Sequence, residues 1–274
     1  MIDIDLIKRA LAEDLQGGED VTSTSTIAAD SISTADFTSR KDGVLAGIEM
    51  ARAVLNEVGL TDITIIKNDG DRIKAGDVLL TVRGNTRAIL LAERTALNFL
   101  GHLSGIATLT RTWVDSIAGT SCEIRDTRKT TPGMRLLEKY AVRMGGGTNH
   151  RMSLSDAALI KDNHIAAAGG VAQAFSKVRE KFPTSEIEIE VDTLDQLREV
   201  LPLKPDLVLL DNMSPAQCAE AVSIVAGATK LEASGGISLE NAKAYAVTGV
   251  NYLAIGALTH SAPVFDIGLD LRAE

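Results

Sequence analysis

A group of cationic and hydroxyl side chains follows the short strand-like segment CEIRD at residues 122–126. Thr127, Arg128 and Lys129 come directly after it, and a Pro-Gly turn follows within residues 125–135. A guanidinium group pairs with both oxygens of a carboxylate or phosphate, and an ammonium group adds a point charge. Because these donors lie together at a strand end, the spacing predicts an anion-binding loop, with a solvent-exposed basic loop as the alternative.

Two further segments contribute candidate ligands for an anion. GGGTNHR at 145–151 places His150 and Arg151 after three glycines, although such glycines more often only end a helix. LIKDNH at 159–164 places Lys161 at the end of an apolar segment. A lysine that leaves a buried strand needs a cavity or an acidic neighbour. Lys161 is therefore predicted either to bind an anion or to form a Schiff base.

Carboxylates lie where the next strand-like segments end. Glu186, Glu188 and Glu190 alternate along EIEIEVD and share one face of the strand, so at least one of them must lie at the mouth of the site. Asp211 ends the following segment in the same manner. Glu190 and Asp211 together suit Mg²⁺, held partly through water, or the hydroxyl groups of a ribose. Ion pairs with the nearby lysines and arginines are the alternative.

Small residues follow the last two predicted strands. Their backbone N–H groups can approach an oxyanion closely, and loops after the late strands of a barrel commonly bind phosphate. Glycines required only by a tight turn are the alternative. The residues are Ser234, Gly235, Gly236, Ile255, Gly256 and Ala257.

The second half of the chain alternates strand-length and helix-length segments, with a new strand roughly every 20 to 30 residues. Capping-box patterns begin helices at Thr193 and Ser214. Strands that are apolar on both faces are typical of a parallel sheet covered by helices. Because ionisable residues end so many of these strands, the pattern favours an α/β barrel over a doubly wound sheet.

The first part of the chain follows a different pattern, and we predict two domains. Residues 1–105 form an α+β domain with a hairpin at 70–84, Lys74 near its tip, and an apolar helix at 88–103. Residues 106–274 form the barrel that carries the active site. We also allow for a C-terminal tail that packs back on the first domain.

Charge restricts the classes of partner. The 274 residues include 28 Lys and Arg against 37 Asp and Glu, a net charge of −9, which disfavours nucleic acid and anionic membranes. Residues 121–165 nevertheless carry eight basic and five acidic residues, which suggests a small anionic ligand.

Cys122 and Cys218 are too few for a disulfide framework, so we expect a reducing compartment such as the cytoplasm. The uncharged stretch 244–265 contains Pro, Asn and His and is interpreted as buried, non-membrane structure.

The chain lacks the sequence motifs that are typical of several other enzyme classes. The four histidines show no zinc spacing, and the chain has no P-loop, no dinucleotide-binding fingerprint and no nucleophile elbow.

The chain resembles the quinolinate phosphoribosyltransferase family from about residue 10 to residue 265, with the motifs in the same order. The segments that carry the resemblance are ERTALNFLGHLSGIAT (93–108), RDTRKTTPGMR (125–135), GGGTNHR (145–151), ALIKDNH (158–164), EIEVD (188–192), LLDNMSP (209–215) and EASGGI (232–237).

This resemblance implies an N-terminal α/β sandwich followed by an incomplete, roughly seven-stranded α/β barrel. It also implies an Mg²⁺-dependent reaction in NAD biosynthesis. Quinolinate and phosphoribosyl pyrophosphate would give nicotinate mononucleotide, pyrophosphate and CO₂.

The resemblance implies roles for the residues identified above. Much of the cationic set would hold the two carboxylates of quinolinate: Arg94, Arg128, Lys129, Arg151 and Lys161. Lys129, Lys161, Glu190 and Asp211 would be catalytic, with the two acids near the ribose and the metal. Thr127 and His150 would line the substrate pocket, and the loops at 234–236 and 255–257 would face phosphate. Arg94 would reach into the barrel of a neighbouring subunit, so a homodimer or a dimer-based hexamer is expected.

Three alternatives differ in their consequences. A relative with a shifted substrate, such as the molybdate-transport-associated members of the family, is disfavoured by the intact cationic residues. An aldolase that uses Lys161 would be trapped by borohydride with a carbonyl substrate. A non-enzymatic binding barrel would tolerate loss of the ionisable residues at the strand ends.

Overall fold

The computed structural model describes residues 2–273, which divide into two compact units. The first unit comprises residues up to 111 together with 136–146 and 261–273, and the second comprises 112–135 and 147–260.

The elements are numbered in chain order. The helices are α1 (Ile4–Leu15), α2 (Val21–Thr26), α3 (Ile48–Glu57), α4 (Thr86–Ser116), α5 (Arg135–Met144), α6 (Asp162–Ala168), α7 (Val171–Lys181), α8 (Leu194–Val200), α9 (Pro215–Val225), α10 (Ala242–Ala246) and α11 (Ala257–His260), with a 3₁₀ turn at Leu201–Leu203. The strands are β1 (Ile32–Ser39), β2 (Gly43–Val44), β3 (Asp62–Ile65), β4 (Arg72–Ile73), β5 (Val78–Asn85), β6 (Glu123–Arg125), β7 (Ala158–Ile160), β8 (Ile187–Val191), β9 (Leu207–Asp211), β10 (Lys230–Ser234), β11 (Tyr252–Ala254) and β12 (Ile267–Ala273).

The first unit is built on an antiparallel sheet with the strand order β12-β1-β5-β3. Alternate residues of β1, including Ala35 and Phe37, are fully buried, as expected for a sheet with one face on a core. The C-terminal strand β12 pairs antiparallel with β1 along its length. The sheet of the first unit therefore includes the C-terminal end of the described chain.

The predicted hairpin at 70–84 is wrong. The turn itself is present, because the Lys74 N–H donates to Asp77 Oδ2 (3.0 Å) and Gly76 has a φ of +91°. However, β4 pairs with β2 in a separate two-stranded sheet, while β5 pairs with β1 and β3. Ile73 is buried in that small sheet. The two strands that flank the turn, β4 and β5, therefore pair with other strands and not with each other.

The second unit contains a parallel sheet with the strand order β6-β11-β10-β9-β8-β7. Six strands are assigned within the described residues, rather than the roughly seven that we predicted. A single parallel bridge between Arg125 and Thr148 occupies the free edge of β6. The glycines that precede Thr148 leave only this one pairing, which is too short to count as a strand.

Alternation along the buried strands divides apolar from polar residues. In β8, Ile187, Ile189 and Val191 alternate with Glu188 and Glu190, and all five residues are buried. The apolar side chains on one face pack under the helices, and the opposite face carries the acids. The register places Leu209 of β9 beside both Glu190 of β8 and Glu232 of β10. Leu209 therefore separates the two acids on the face that lines the cavity.

Local sequence signals place the helices of this unit. Thr193 with Gln196, and Ser214 with Gln217, form the capping boxes predicted at the starts of α8 and α9. Within residues 2–273, no helix combines the length and apolar character that a bilayer span requires. The uncharged stretch 244–265 contributes instead to short elements, including β11 and α11.

Candidate active site

A cavity of about 700 Å³ opens at the carboxyl ends of the parallel strands of the second unit. Thr127, just after edge strand β6, and Leu159, in the opposite edge strand β7, both line it. The sheet must therefore curve until its two edges face the same space, as the barrel prediction requires. The predicted site residues that line this cavity are Thr127, Arg128, Lys129, His150, Arg151, Lys161, Glu190, Asp211, Ser234, Gly235, Gly236, Ile255, Gly256 and Ala257.

Two arginines form a desolvated cationic wall. Burial lowers the pKa of Arg151, and the positive charge of Arg128 lowers it further. The Arg151 guanidinium donates to the Ala157 carbonyl oxygen (2.7 Å). Within the described part of the chain, the buried Nε of Arg128 finds no hydrogen-bond acceptor. A bound anion would relieve the repulsion between the two guanidinium groups.

Lys161 lies both in the cavity and beside an acid, the two settings that its position on a buried strand required. Its Nζ is 2.8 Å from Glu190 Oε2, and about half of the lysine side chain is exposed. An ion-paired, half-exposed lysine suits anion binding better than Schiff-base formation, which needs the neutral amine.

The cavity also has an acidic wall, formed by Glu190 and Asp211. Burial raises the pKa of Asp211, and the charges of Glu190 and Asp192 raise it further. Asn212 adopts a left-handed backbone conformation (φ 53°), and its Nδ2 donates to Asp211 Oδ2 (2.7 Å). Sequence reasoning missed Asn212, although Asn is among the residues that tolerate this conformation.

Glycines shape two loops of the cavity. Gly235 has a φ of +89°, and a Cβ at this position would overlap the side-chain oxygen of Asn212. A Cβ at Gly256 would lie 3.0 Å from Lys129 Cδ and 3.2 Å from the Nε2 of His260, a cavity residue that the sequence did not single out. Gly235 is therefore required both by its backbone conformation and by the close approach of Asn212, whereas a Cβ at Gly256 would need Lys129 and His260 to shift by only a few tenths of an ångström.

A buried polar layer lies below the mouth. Nε2 of His150 is 2.6 Å from Glu188 Oε2 and 3.7 Å from Glu232 Oε1, and Arg125 NH1 is 2.8 Å from Glu232 Oε2. Glu188 and Glu232 are 5% and 0% exposed. Sequence alternation put Glu188 on the correct face, but Glu232 was missed although it alternates with Ser234 in the same way. Glu186 lies just before β8, and its side chain is exposed.

The electrostatics of this layer follow from burial. Burial raises the pKa of Glu188 to about 7, and burial together with the charge of Glu188 raises the pKa of Glu232 to about 7. His150, Glu188 and Glu232 also offer metal-ligand atoms within 4.8 Å of one another. The hydrogen bond to His150 and the ion pair to Arg125 already occupy one oxygen of each carboxylate, so we describe the layer as a polar network.

Arg94 differs from the other predicted site residues. It is exposed on α4, within the first unit, and it is not among the residues that line the cavity. Its predicted role depends on a second copy of the chain.

A helix-covered parallel sheet whose strand ends gather cations, acids and glycine loops around one cavity defines an α/β-barrel enzyme class that acts on anionic substrates. Residues 20–104 match the model of the quinolinate phosphoribosyl transferase N-terminal domain, and residues 106–270 match that of the C-terminal domain. The chain belongs to the quinolinate phosphoribosyltransferase family.

Individual relatives agree with this membership. The chain is 52% identical to nicotinate-nucleotide pyrophosphorylase [carboxylating] of Mycobacterium leprae, covering 97% of this chain and 96% of that protein. It is 40% identical to quinolinate phosphoribosyltransferase [decarboxylating] 2b, mitochondrial, of Nicotiana tabacum, covering 98% and 82%. The crystal structure of nicotinate-nucleotide pyrophosphorylase from Ehrlichia chaffeensis superposes with a TM-score of 0.93 at 40% identity, covering 98% of both chains.

Replacing the buried acid Glu232 should change how stability depends on pH. Its pKa rises from 4.5 to about 7 on folding, so the folded state binds more protons between these values. The resulting stabilisation is present below about pH 4.5 and is lost as the pH rises through about 7. Glu232→Gln cannot ionise, and it should remove a pH-dependent contribution on the order of 3 kcal/mol.

Urea unfolding at several pH values from 5 to 8 measures this effect. The unfolding free energy of Glu232→Gln should fall less across that range than that of the wild type, while the exposed control Glu186→Gln should follow the wild type. A wild-type slope in Glu232→Gln would contradict the assignment of a buried, proton-binding carboxyl group.

Proposed function

We propose that this chain transfers the phosphoribosyl group of phosphoribosyl pyrophosphate to quinolinate with loss of CO₂, giving nicotinate mononucleotide and pyrophosphate for NAD biosynthesis. Family membership and the activities named for its relatives support this proposal. The observation that carries it is that Arg128, Arg151 and Lys161 line one cavity together with Glu190 and Asp211.

The cationic wall suits quinolinate, a planar pyridine with two adjacent carboxylates. A planar dianion needs several fixed cations, and a guanidinium group matches the two oxygens of a carboxylate. Arg128 and Arg151 lie close enough to depress the pKa of Arg151, so a ligand with two negative charges would be stabilised by both. Lys129 and Lys161 add point charges to the lining of the same cavity.

The acidic wall suits the sugar. Departure of pyrophosphate leaves positive, oxocarbenium-like character on the ribose, which the Glu190 and Asp211 carboxylates would stabilise. The bond from C1 of the ribose to the pyrophosphate oxygen breaks, and the ring nitrogen of quinolinate forms the new bond to C1. Backbone N–H groups of the loops at 234–236 and 255–257 would hold phosphate groups, because their glycines allow close approach.

The acidic residues also fit a divalent cation. Glu190 and Asp211 provide hard oxygen ligands. Burial raises the pKa of Asp211, and the negative charges of Glu190 and Asp192 raise it further; a cation would offset this second cause. We propose that these two residues hold Mg²⁺, partly through water. When bound, Mg²⁺ would neutralise charge on the pyrophosphate leaving group.

Decarboxylation follows from the new bond at the ring nitrogen. The nitrogen becomes cationic, the bond from the adjacent ring carbon to its carboxylate breaks, and the electron pair stays on that carbon until a proton replaces CO₂. Positive charge that remains close to the ring stabilises this carbanion-like state more than the ground state. Arg151 and Lys161 would also keep hold of the carboxylate that is retained.

We further propose that the active form is a homodimer or a dimer-based hexamer, in which Arg94 completes the site of a neighbouring subunit. The exposure of Arg94 on α4 is compatible with this contact. We also propose a cytoplasmic location, which agrees with the two free, buried cysteines Cys122 and Cys218.

The direct test supplies quinolinate, phosphoribosyl pyrophosphate and Mg²⁺ and follows formation of nicotinate mononucleotide. Nicotinate replaces quinolinate in the control reaction, which should give little product because one carboxylate is missing. Product from nicotinate at a comparable rate, or no product from quinolinate, would overturn the proposal.

Loss of single cations should weaken the reaction without unfolding the chain. Lys161→Ala and Arg151→Ala each remove a charge-assisted hydrogen bond, so kcat/KM for quinolinate should fall about 10- to 100-fold. Circular dichroism should show a wild-type fold. If both variants keep wild-type kcat/KM, the cationic wall does not bind quinolinate.

Gly235→Ala should separate backbone strain from an effect on the site. Alanine at Gly235 is strained and overlaps Asn212, so the loop should shift and the KM for phosphoribosyl pyrophosphate should rise. Gly227 is the matched control, because it also has a positive φ (+82°) but nothing within 4 Å of an added Cβ. Gly227→Ala should lower the melting temperature alone. Equal KM values in the two variants would refute the role of the loop.

A shared active site predicts complementation between two inactive variants. Arg94→Ala and Lys161→Ala chains, mixed under conditions that exchange subunits, would form one intact site in each heterodimer. Random mixing should then restore about a quarter of wild-type activity. Activity that stays at the level of the separate variants would argue against a contribution of Arg94 across the interface.

A further inference from the structure

The imidazole of His150 uses both of its nitrogens within the protein. The Arg151 backbone N–H donates to Nδ1 (2.8 Å), so Nδ1 carries no proton. The proton of the neutral ring is then on Nε2, which lies 2.6 Å from Glu188 Oε2 and donates to it. The hydrogen-bond network therefore defines a single tautomer.

The backbone of His150 is fixed as firmly as its ring. Its N–H donates to Asp126 Oδ1 (2.8 Å), while the side chain of Asn149 donates to Asp126 Oδ2 (2.6 Å). Asp126 is completely buried, and His150 is 7% exposed although it lines the cavity. Asp126 thus fixes the backbone of His150, and Glu188 holds its ring.

Glu188, and not Glu232, holds the ring proton. Glu232 is farther from Nε2 (3.7 Å), and its other oxygen is occupied by Arg125 (2.8 Å). Glu188 is 5% exposed and does not line the cavity, so it would act on a ligand only through His150.

We propose that Glu188 is a positioning residue: it accepts the Nε2–H of the tautomer that the Arg151 N–H sets, and it turns that N–H away from the cavity, so that the ring meets the pyridine substrate through its carbon atoms. In this arrangement His150 is a rigid, neutral wall of the pocket, and not a proton donor to the substrate. This inference rests on the proposed function for the identity of the substrate, but the tautomer is independent of it.

The kinetic test compares three variants. Glu188→Ala removes the acceptor of the ring N–H, and the KM for quinolinate should rise about 10- to 100-fold with little change in the KM for phosphoribosyl pyrophosphate. Glu188→Gln keeps a carbonyl acceptor at the same place and should recover most of this loss. Glu186→Ala, on the same face of the strand but exposed, should match the wild type.

A general structural role for Glu188 would raise both KM values, or it would leave Glu188→Gln as impaired as Glu188→Ala. Either result would overturn the proposal.

The spectroscopic test needs no turnover. Nitrogen chemical shifts of ¹⁵N-histidine-labelled protein, with His150 assigned by its loss in His150→Asn, report which ring nitrogen carries the proton. The wild type and Glu188→Gln should show the Nε2–H form with and without quinolinate. Glu188→Ala keeps the Arg151 N–H on Nδ1 and therefore the same tautomer, but its Nε2 resonance should shift because the hydrogen bond to the carboxylate is lost.

A proton on Nδ1 in the wild type, or an Nε2–H signal that disappears when quinolinate binds, would refute the proposal. Because the tautomer is observed without substrates, a failure of the proposed activity would remain distinguishable from a failure of this inference.

Discussion

Repulsion between positive charges that are partly removed from water is the constraint on which this site depends. Arg151 is desolvated beside Arg128, and both circumstances lower its pKa, so the cations need either internal acceptors or an anion. The Ala157 carbonyl and the Glu190 carboxylate satisfy part of this need. The remainder is left for a ligand, and a planar molecule with two carboxylates matches it best.

The parallel sheet makes this arrangement possible because its strand ends converge. Alternation along β8 puts Glu190 at the mouth and Glu188 one layer deeper, so one strand supplies an acid to the cavity and an acid to the layer beneath it. The deeper layer is mostly sealed from solvent, with Arg125 compensating Glu232 and His150 bonded to Glu188. The residues of the cavity mouth and the buried residues beneath them thus form successive layers of the same parallel sheet.

The sequence predicted the elements of this site better than their long-range partners. Strand ends, capping boxes and the side-chain face of Glu188 follow from local periodicity, and the structure confirms them. The hairpin at 70–84 failed because pairing of β4 with β2 is non-local. Glu232 and Asn212 were missed because their importance depends on contacts with neighbouring strands, and the role of Arg94 requires a second chain. The count of six strands reflects a glycine-rich approach to Thr148 that pairs at only one residue.

The most direct measurement is equilibrium binding by titration calorimetry, comparing quinolinate with nicotinate at low and high salt. If the cationic wall holds both carboxylates, quinolinate should bind at least about 10-fold more tightly than nicotinate, and salt should weaken quinolinate more. Equal affinities for the two acids, with no difference in salt dependence, would contradict the account.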